Sequence, residues 1–112
     1  MQSREITPFQ KSVYDATSLI PKGSVTTYKL LGQMVGCRSP RAIGQALRLN
    51  PFAPEVPCHR VVKTDLSLGG YMGQESPSPE LKKKKHLLAL EGVRFIEKNR
   101  INPQDLWTPT MH

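Results

Sequence analysis

The spacing of apolar residues predicts a helix near the start of the chain. The apolar positions recur every three or four residues, at Phe9, Val13, Ala16 and Ile20. Thr7 precedes Pro8 and lies three residues before Gln10, which is the arrangement of a capping box with proline at the first helical position. We therefore expect a helix that begins at Pro8 and ends before residues 21–23, Pro-Lys-Gly.

Two short helices follow, separated by a glycine-containing connection. Thr27 can cap the first helix and Gly36 closes it, whereas Ser39 can cap the second, which Asn50 and Pro51 stop. Their apolar positions are Leu30, Leu31, Met34 and Val35, then Ile43, Ala46 and Leu47. The pair is a helix-turn-helix candidate, although an ordinary helical hairpin has the same pattern.

The second half of the chain predicts a hairpin and a last helix. Residues 51–57 contain three prolines and predict an extended loop, and residues 59–62 read as a strand. A turn at residues 63–65 leads to a returning strand at residues 68–73, which would form the wing of a winged helix.

The last helix should begin after Ser78 and end at Gly92. Its four lysines, residues 82–85, circle the helix and are expected to form a solvated face. The pattern as a whole predicts a mainly α-helical winged helix-turn-helix fold with a small β-hairpin, in one domain that spans residues 1–112.

Composition and charge narrow the class of protein. The chain has 112 residues, 38% of them hydrophobic, which suffices for one domain with a modest core. Its net charge of +7 is typical of proteins that bind phosphates or an anionic membrane surface. The alternative is a basic surface that is only solvated. Together with the helix-turn-helix candidate, the charge favours DNA. Since no long apolar run or signal-peptide pattern is present, we expect a soluble intracellular protein without a membrane partner.

The cysteines and histidines do not form a metal-binding pattern. Cys37 and Cys58 lack a CxxC spacing, and the three histidines are scattered at positions 59, 86 and 112. We therefore expect free thiols, no metal and no cofactor.

The segment VPCHRVV, residues 56–62, carries the clearest chemical signal. A cysteine in a valine-rich strand is often simply buried, but His59 and Arg60 beside it need partners or a function. A cysteine nucleophile reacts as the thiolate and needs a base, for which His59 is the candidate. Because successive side chains on a strand point to opposite faces, a turn at Pro57 or a bridging water would be required.

Six segments together resemble the O6-alkylguanine-DNA alkyltransferases over roughly residues 8–96. They are Thr27-Tyr28, Arg41-Ala42-Ile43-Gly44, Asn50-Pro51, VPCHRVV, Gly70-Tyr71 and Leu87-Leu88-Ala89-Leu90-Glu91-Gly92. The resemblance implies a monomer that enters the minor groove of double-stranded DNA and rotates an O6-alkylated guanine out of the duplex. It also implies irreversible transfer of the alkyl group to the protein's own cysteine.

The resemblance assigns four catalytic residues. Cys58 would accept the alkyl group, and His59 would act on it through a water while Glu91 orients the imidazole. Asn50 would tie the recognition helix to the active-site strand. Arg60 is interpreted as structural and ion-paired.

The resemblance also assigns residues that contact the substrate. Tyr28 would crowd the target phosphate and contact the flipped base, and Arg41 would fill the space that the base leaves. The alternatives are a core aromatic and a phosphate-binding arginine. The carbonyls of Cys58 and Val61 would accept hydrogen bonds from the guanine amino group. The remaining assigned residues are Ala42 and Gly44 in the recognition helix and Tyr71 and Met72 in the pocket loop. Gly44 and Ala46 are small, which fits a recognition helix that must approach the groove closely.

Two departures leave two functions open. Met72 and Gln74 stand where the family commonly has serine and glycine, and the tail at residues 105–109 resembles that of alkyltransferase-like proteins, which usually have tryptophan in place of the cysteine. The preferred function is a single-turnover DNA-repair methyltransferase, cytoplasmic or nuclear, because Cys58, His59 and Glu91 are all present. The alternative is a non-catalytic lesion sensor that recruits other repair proteins. A winged-helix transcription factor would leave the PCHR segment unexplained.

Overall fold

Four α-helices are the main regular structure of the described chain. The computed structural model describes residues 6–52, 55–68, 79–97 and 100–108. The helices are α1, Pro8–Thr17; α2, Tyr28–Met34; α3, Pro40–Arg48; and α4, Pro79–Leu90. The predicted starts of α1, α2 and α3 are confirmed, since Thr7, Thr27 and Ser39 each accept a backbone hydrogen bond as the N-cap. Ser78, the predicted cap of α4, lies outside the described residues.

The buried face of α1 differs slightly from the prediction. Val13 and Ala16 are buried, and so is Ile20 beyond the end of the helix, but Phe9 is 37% exposed. Tyr14 is buried instead, and its hydroxyl donates to the carbonyl of Ala46 over 2.7 Å. A buried phenol needs such an acceptor, so this bond anchors α1 against α3.

The turn between α2 and α3 is tight, and two glycines permit it. The amide of Cys37 donates to the carbonyl of Gly32 over 2.8 Å, and Gly36 has a φ of 73°. A Cβ on Gly32 would lie 2.5 Å from the Cys37 carbonyl oxygen. The predicted helix-turn-helix pair is therefore present, and its turn depends on the missing side chain at position 32.

The strand within the segment VPCHRVV, residues 56–62, is shorter than predicted. Residues Cys58–Arg60 form a 3₁₀ turn, so that β2 comprises only Val61–Val62. The departure begins at Pro57, which has a ψ of 67°, and the amide of Arg60 donates back to its carbonyl. The strand predicted at residues 59–62 is thus wrong for its first half.

The partner of β2 was not predicted. It is β1, Thr26–Thr27, which pairs with β2 in parallel, Thr26 opposite Val61. The predicted hairpin turn is present, because the amide of Lys63 donates to the carbonyl of Ser67. Residues 69–73 of the predicted returning strand lie outside the described residues.

Other departures lie in the loops and the tail. Residues 51–57 are not simply extended, since the amide of Val56 donates to the carbonyl of Phe52. Strands β3, Phe95–Glu97, and β4, Arg100–Ile101, form an antiparallel pair that the sequence pattern did not indicate. The tail then runs beside Val25, whose amide donates to the Asp105 carbonyl and whose carbonyl accepts from the Trp107 amide.

The buried residues that the structure describes form two core clusters. The first joins α1, α2 and α3 to the 3₁₀ turn, and the second lies among β2, α4 and the β3–β4 pair. Among the described residues, no helix has the length and apolar character to cross a membrane. That residues 1–112 form one domain stays a prediction.

The two helix glycines should respond in opposite ways to alanine. Gly32→Ala should destabilise the protein by about 1–3 kcal/mol, because its methyl group would collide with backbone in the tight turn. Gly44→Ala should be neutral or stabilising by up to about 1 kcal/mol, since no atom lies within 4 Å of the added Cβ and alanine favours helix. Urea unfolding of both variants tests this pair. A Gly32→Ala protein as stable as Gly44→Ala would contradict the described turn.

Candidate active site

The 3₁₀ turn brings Cys58 and His59 into the interior together. Cys58 is 5% exposed and His59 is 2% exposed, and Cys58 belongs to the first core cluster. The sequence required either a turn at Pro57 or a bridging water to let these neighbours act jointly, and the turn is present. Burial raises the pKa of Tyr14, and the charge on Cys58 raises it further, so the phenol stays neutral beside the thiol.

Glu91, at the end of α4, is hydrogen-bonded to both residues that follow Cys58. Its Oε2 lies 2.9 Å from Nε2 of His59. Arg60 donates to both of its oxygens, from Nε to Oε1 and from Nη2 to Oε2, each over 2.8 Å. Arg60 also donates to the carbonyl of Ile20, which connects the group to the end of α1. The ion pair predicted for Arg60 is therefore present.

The protonation states follow from these contacts. Burial alone would raise the pKa of Glu91, but the hydrogen bonds from Arg60 and His59 outweigh burial and hold that pKa below its ordinary value. Burial lowers the pKa of His59 despite the bond to Glu91, so the imidazole is neutral at neutral pH. An ionised Glu91 can only accept, hence Nε2 carries the imidazole proton. The other nitrogen, Nδ1, is then a base.

Nδ1 of His59 is buried and has no hydrogen-bond partner among the described residues. An unpaired buried acceptor costs free energy, and such groups in native proteins call for an explanation. A nitrogen held in this state can accept a proton from a neighbouring thiol, directly or through a water. The residue next to Cys58 thus carries a buried basic nitrogen that is not engaged by any described residue.

Asn50 connects α3 to the segment that leads into the turn. It is 3% exposed, and its Nδ2 donates to the carbonyl of Val56 over 3.0 Å. Its Oδ1 accepts from the amide of Phe52 over 2.8 Å. The side chain therefore occupies the linking position that the sequence analysis expected, and its role in catalysis stays a prediction.

The residues predicted to contact DNA lie on α2 and α3. Tyr28 is the first residue of α2 and is half-buried, and Arg41 is exposed in the first turn of α3. Ala42 and Gly44 are half-buried, and the space beside Gly44 is open. Ala46 is buried, and its carbonyl accepts from the hydroxyl of Tyr14. That the recognition helix approaches the groove closely stays a prediction.

Lys84 is the site residue that sequence reasoning missed. It was expected in the solvated face of α4, but its side chain is fully buried. Its Nζ donates to the carbonyl of Val61 over 2.8 Å and lies 6.0 Å from the ring centre of Tyr28. Four consecutive residues turn through about 300° on a helix, so at least one of the four lysines had to face inward.

Tyr71 and Met72 lie outside the described residues. Within the described ranges, no cluster of three histidine, cysteine, aspartate or glutamate side chains could hold a metal ion. The absence of a cofactor stays a prediction.

Comparison with known sequences gives one family. Residues 8–93 match the family described as 6-O-methylguanine DNA methyltransferase, DNA binding domain. A methylated-DNA–protein-cysteine methyltransferase of Pyrobaculum aerophilum is 53% identical over 74 residues, which cover 66% of this chain and 45% of the relative. The protein of the same name from Methanothermobacter thermautotrophicus is 44% identical over 87 residues, which cover 78% of this chain and 46% of the relative. The chain thus spans about half the length of these curated relatives.

Solved structures of two kinds resemble this fold. Atl1 of S. pombe, crystallised with damaged DNA containing O6-carboxymethylguanine, has a TM-score of 0.78 at 28% identity and covers 94% of this chain and 99% of its own. OGT of Mycobacterium tuberculosis in complex with DNA has a TM-score of 0.70 at 36% identity. The match covers 79% of this chain and 52% of the OGT chain. The O6-methylguanine-DNA methyltransferase of Pyrococcus kodakaraensis has a TM-score of 0.67 at 43% identity. The match covers 79% of this chain and 48% of the methyltransferase chain.

His59 should make the folded protein less stable in mild acid. In the unfolded chain it gains a proton near its ordinary pKa of 6.5, whereas in the folded protein burial lowers that pKa. Below pH 6.5 the unfolded state therefore binds more protons, so stability present above this pH is lost as the pH falls. His59→Gln, which can still donate to Glu91, should weaken this dependence in urea unfolding between pH 6.5 and about pH 5.

The matched control is His86→Gln, since His86 is exposed on α4. It should retain the pH dependence of the unaltered protein. Equal flattening by both substitutions would show that burial of His59 is not its source.

Proposed function

The chain belongs to the family of the 6-O-methylguanine DNA methyltransferase DNA-binding domain, and we propose that it repairs DNA by moving the alkyl group of O6-alkylguanine onto Cys58. The observation that carries this proposal is the buried Cys58–His59–Glu91 arrangement, in which Nδ1 of His59 has no hydrogen-bond partner among the described residues. A purely DNA-binding helix-turn-helix protein has no need of this arrangement.

The chemistry is a displacement at the alkyl carbon. The thiolate of Cys58 forms the sulfur–carbon bond as the carbon–O6 bond breaks, and the electron pair of that bond returns to the purine. The proton lost by the thiol ends, in net, on the guanine, which regains its normal N1–H form. The thioether product has no route back to the thiol without another reactant, so each protein molecule acts once.

His59 and Glu91 prepare the thiolate. Because Glu91 fixes the proton of His59 on Nε2, Nδ1 is the nitrogen that takes the thiol proton, directly or through a water. The imidazolium formed in this way is stabilised by the carboxylate, which Arg60 keeps ionised and in place. This division of roles is that of a base and its orienting acid in other nucleophilic sites.

The helix-turn-helix pair supplies the DNA contacts. A base within the duplex is out of reach of a buried thiol, so the alkylated guanine must rotate out of the stack. Arg41 on the exposed start of α3 would fill the vacated space from the minor groove, and Tyr28 would crowd the target phosphate. The DNA complexes of Atl1 and of M. tuberculosis OGT, and the net charge of +7, support DNA as the partner.

A lesion sensor is the second candidate, and the tail favours it. The segment from Asn102 to Thr108 is part of the described fold, and Trp107 packs against the first core cluster. The Atl1 structure matches 94% of this chain, whereas the two methyltransferase structures match 79%. A sensor would flip and bind the modified base, leave it alkylated and recruit other repair proteins.

Stoichiometric modification of one cysteine separates the two functions. After incubation with an O6-methylguanine duplex, mass spectrometry should find one methyl group on the peptide that contains Cys58, with no more than one equivalent of product. Cys58→Ala should abolish transfer yet retain lesion binding, because Tyr28 and α3 are unchanged. His59→Ala should slow transfer by about a hundredfold or more, as loss of a general base does.

Cys37→Ala is the control, because Cys37 lies in the turn between α2 and α3 and not in the segment that carries Cys58. It should transfer at the unaltered rate. Tight lesion binding with Cys58 unmodified after prolonged incubation would favour the sensor.

Arg41 can be tested by comparing two substrates. If it replaces the flipped base in the stack, Arg41→Ala should impair transfer from duplex DNA much more than transfer from the free modified base, which needs no flipping. Arg48→Ala removes the same charge from the exposed end of α3 and should have the smaller effect on duplex transfer. Equal loss on both substrates would indicate a structural role for Arg41.

A further inference from the structure

The tail, residues 102–108, lies against the residue that leads into β1. Leu106 pairs in parallel with Val25, which is 0% exposed. The amide of Val25 donates to the carbonyl of Asp105 over 3.0 Å, and the amide of Trp107 donates to the carbonyl of Val25 over 2.6 Å. Both backbone groups of Val25 are therefore held by the tail.

Asp105 also fixes the tail through its side chain. Its Oδ2 accepts from the backbone amide of Arg94 over 2.7 Å, and its Oδ1 accepts from Nη2 of Arg94 over 2.9 Å. The hydrogen bonds from Arg94 hold the pKa of Asp105 below its ordinary value, so the carboxylate is ionised at neutral pH. Asp105 thus joins two parts of the chain, Arg94 through its carboxylate and Val25 through its carbonyl.

This ion pair differs from an ordinary surface pair. The side chain of Asp105 is 11% exposed, whereas that of Asp15, which pairs with Lys11 on α1, is 66% exposed. Exposed pairs contribute little to stability, but a mostly buried carboxylate with several donors holds its own backbone in one position. The two aspartates therefore form a matched pair for experiment.

The tail lies beyond the residues that match the family. That match ends at residue 93, directly before Arg94. Terminal segments are ordered only where contacts hold them, and here the amide of Asn102 also donates to the carbonyl of Arg94 while Trp107 packs against the first core cluster. These contacts call for a role that the matched domain alone does not explain.

The strand β1 connects the tail to the helix that begins with Tyr28. Val25 directly precedes β1, whose two residues are followed at once by α2. Thr27 is both the last residue of β1 and the N-cap of α2. A displacement of Val25 is therefore transmitted to Tyr28 through two residues of extended backbone.

We propose that Asp105 is a positioning residue for base flipping, which acts through the tail and β1 to hold Tyr28 in place against the duplex. The inference rests on the proposed function, in which Tyr28 contacts the target phosphate and the flipped base. It deepens that function by assigning the tail to engagement of the duplex and not to the chemistry at Cys58.

The test compares Asp105→Ala with Asp15→Ala, and its first measurement is fluorescence. The chain contains one tryptophan, so emission reports directly on the tail. In Asp105→Ala the emission of Trp107 should move to longer wavelength and be quenched more strongly by acrylamide, whereas Asp15→Ala should keep the emission of the unaltered protein. Unchanged emission in Asp105→Ala would overturn the proposal, because the carboxylate would then not be what holds the tail.

The second measurement is the rate of methyl transfer from an O6-methylguanine duplex and from the free modified base. Asp105→Ala should lose about tenfold or more on the duplex, since a misplacement of about 1 Å can cost about a hundredfold in rate. Transfer from the free base should stay nearly unchanged, because it needs no flipping. Asp15→Ala should keep both rates. Equal loss on both substrates, which a merely structural role would cause, would overturn the proposal, and so would a detached tail with full duplex transfer.

The folded state of the variant is established first by thermal unfolding. If Asp105→Ala does not fold, Asp105→Asn replaces it, since asparagine lacks the charge but keeps an acceptor oxygen for the Arg94 amide. The same three outcomes decide the proposal for this variant.

Affinity for the O6-methylguanine duplex separates this inference from the proposed function. If the unaltered protein transfers no methyl group, alkyl transfer is overturned, and binding decides the role of Asp105. Asp105→Ala should bind the modified duplex about tenfold or more weakly than Asp15→Ala does. Both substitutions remove one negative charge, so the comparison cancels any general effect of charge on DNA affinity. Equal affinity of the two variants would overturn the inference.

Discussion

The candidate active site depends on one carboxylate, that of Glu91. It accepts from His59 and, through two hydrogen bonds, from Arg60, and Arg60 in turn donates to the carbonyl of Ile20. A negative charge in the last turn of a helix is opposed by the helix dipole, so Glu91 is stable there because cationic and polar partners surround it. The same contacts attach α4 and the end of α1 to the 3₁₀ turn. Without this carboxylate, Arg60 would be a half-buried charge with no counterion among these contacts.

A second constraint is the short parallel pair of strands. β1 runs directly into α2, and β2 follows directly from the turn that carries Cys58. The register places Thr26 opposite Val61 and Thr27 opposite Val62, so Tyr28 begins its helix beside the segment VPCHRVV. Tyr28 and the turn that carries Cys58 are therefore positioned by the same short pair of strands. Strands of two residues suffice for this positioning because both residues of each strand are buried.

Features that depend on neighbouring residues could be predicted from the sequence, and features that depend on distant contacts could not. The caps at Thr7, Thr27 and Ser39 are local signals, and they gave the correct helix starts. A turn at Pro57 was required by the chemistry of adjacent side chains. The parallel partner of β2 lies some 35 residues earlier in the chain, and no local pattern identifies it. The burial of Lys84 likewise depends on carbonyls that only the folded chain brings together.

The energetic cost of the site bears on whether it performs chemistry. A pocket that only binds an extruded, uncharged base needs apolar walls and a few hydrogen bonds. This chain instead buries a lysine and a histidine, and it leaves Nδ1 of that histidine without a partner among the described residues. Each of these features costs free energy of folding and calls for an explanation. A basic nitrogen on the residue next to Cys58 is explained by the alkyl transfer that we propose, in which the thiol must lose its proton. The fold itself is common to the methyltransferase structures and to Atl1, so it does not distinguish transfer from sensing.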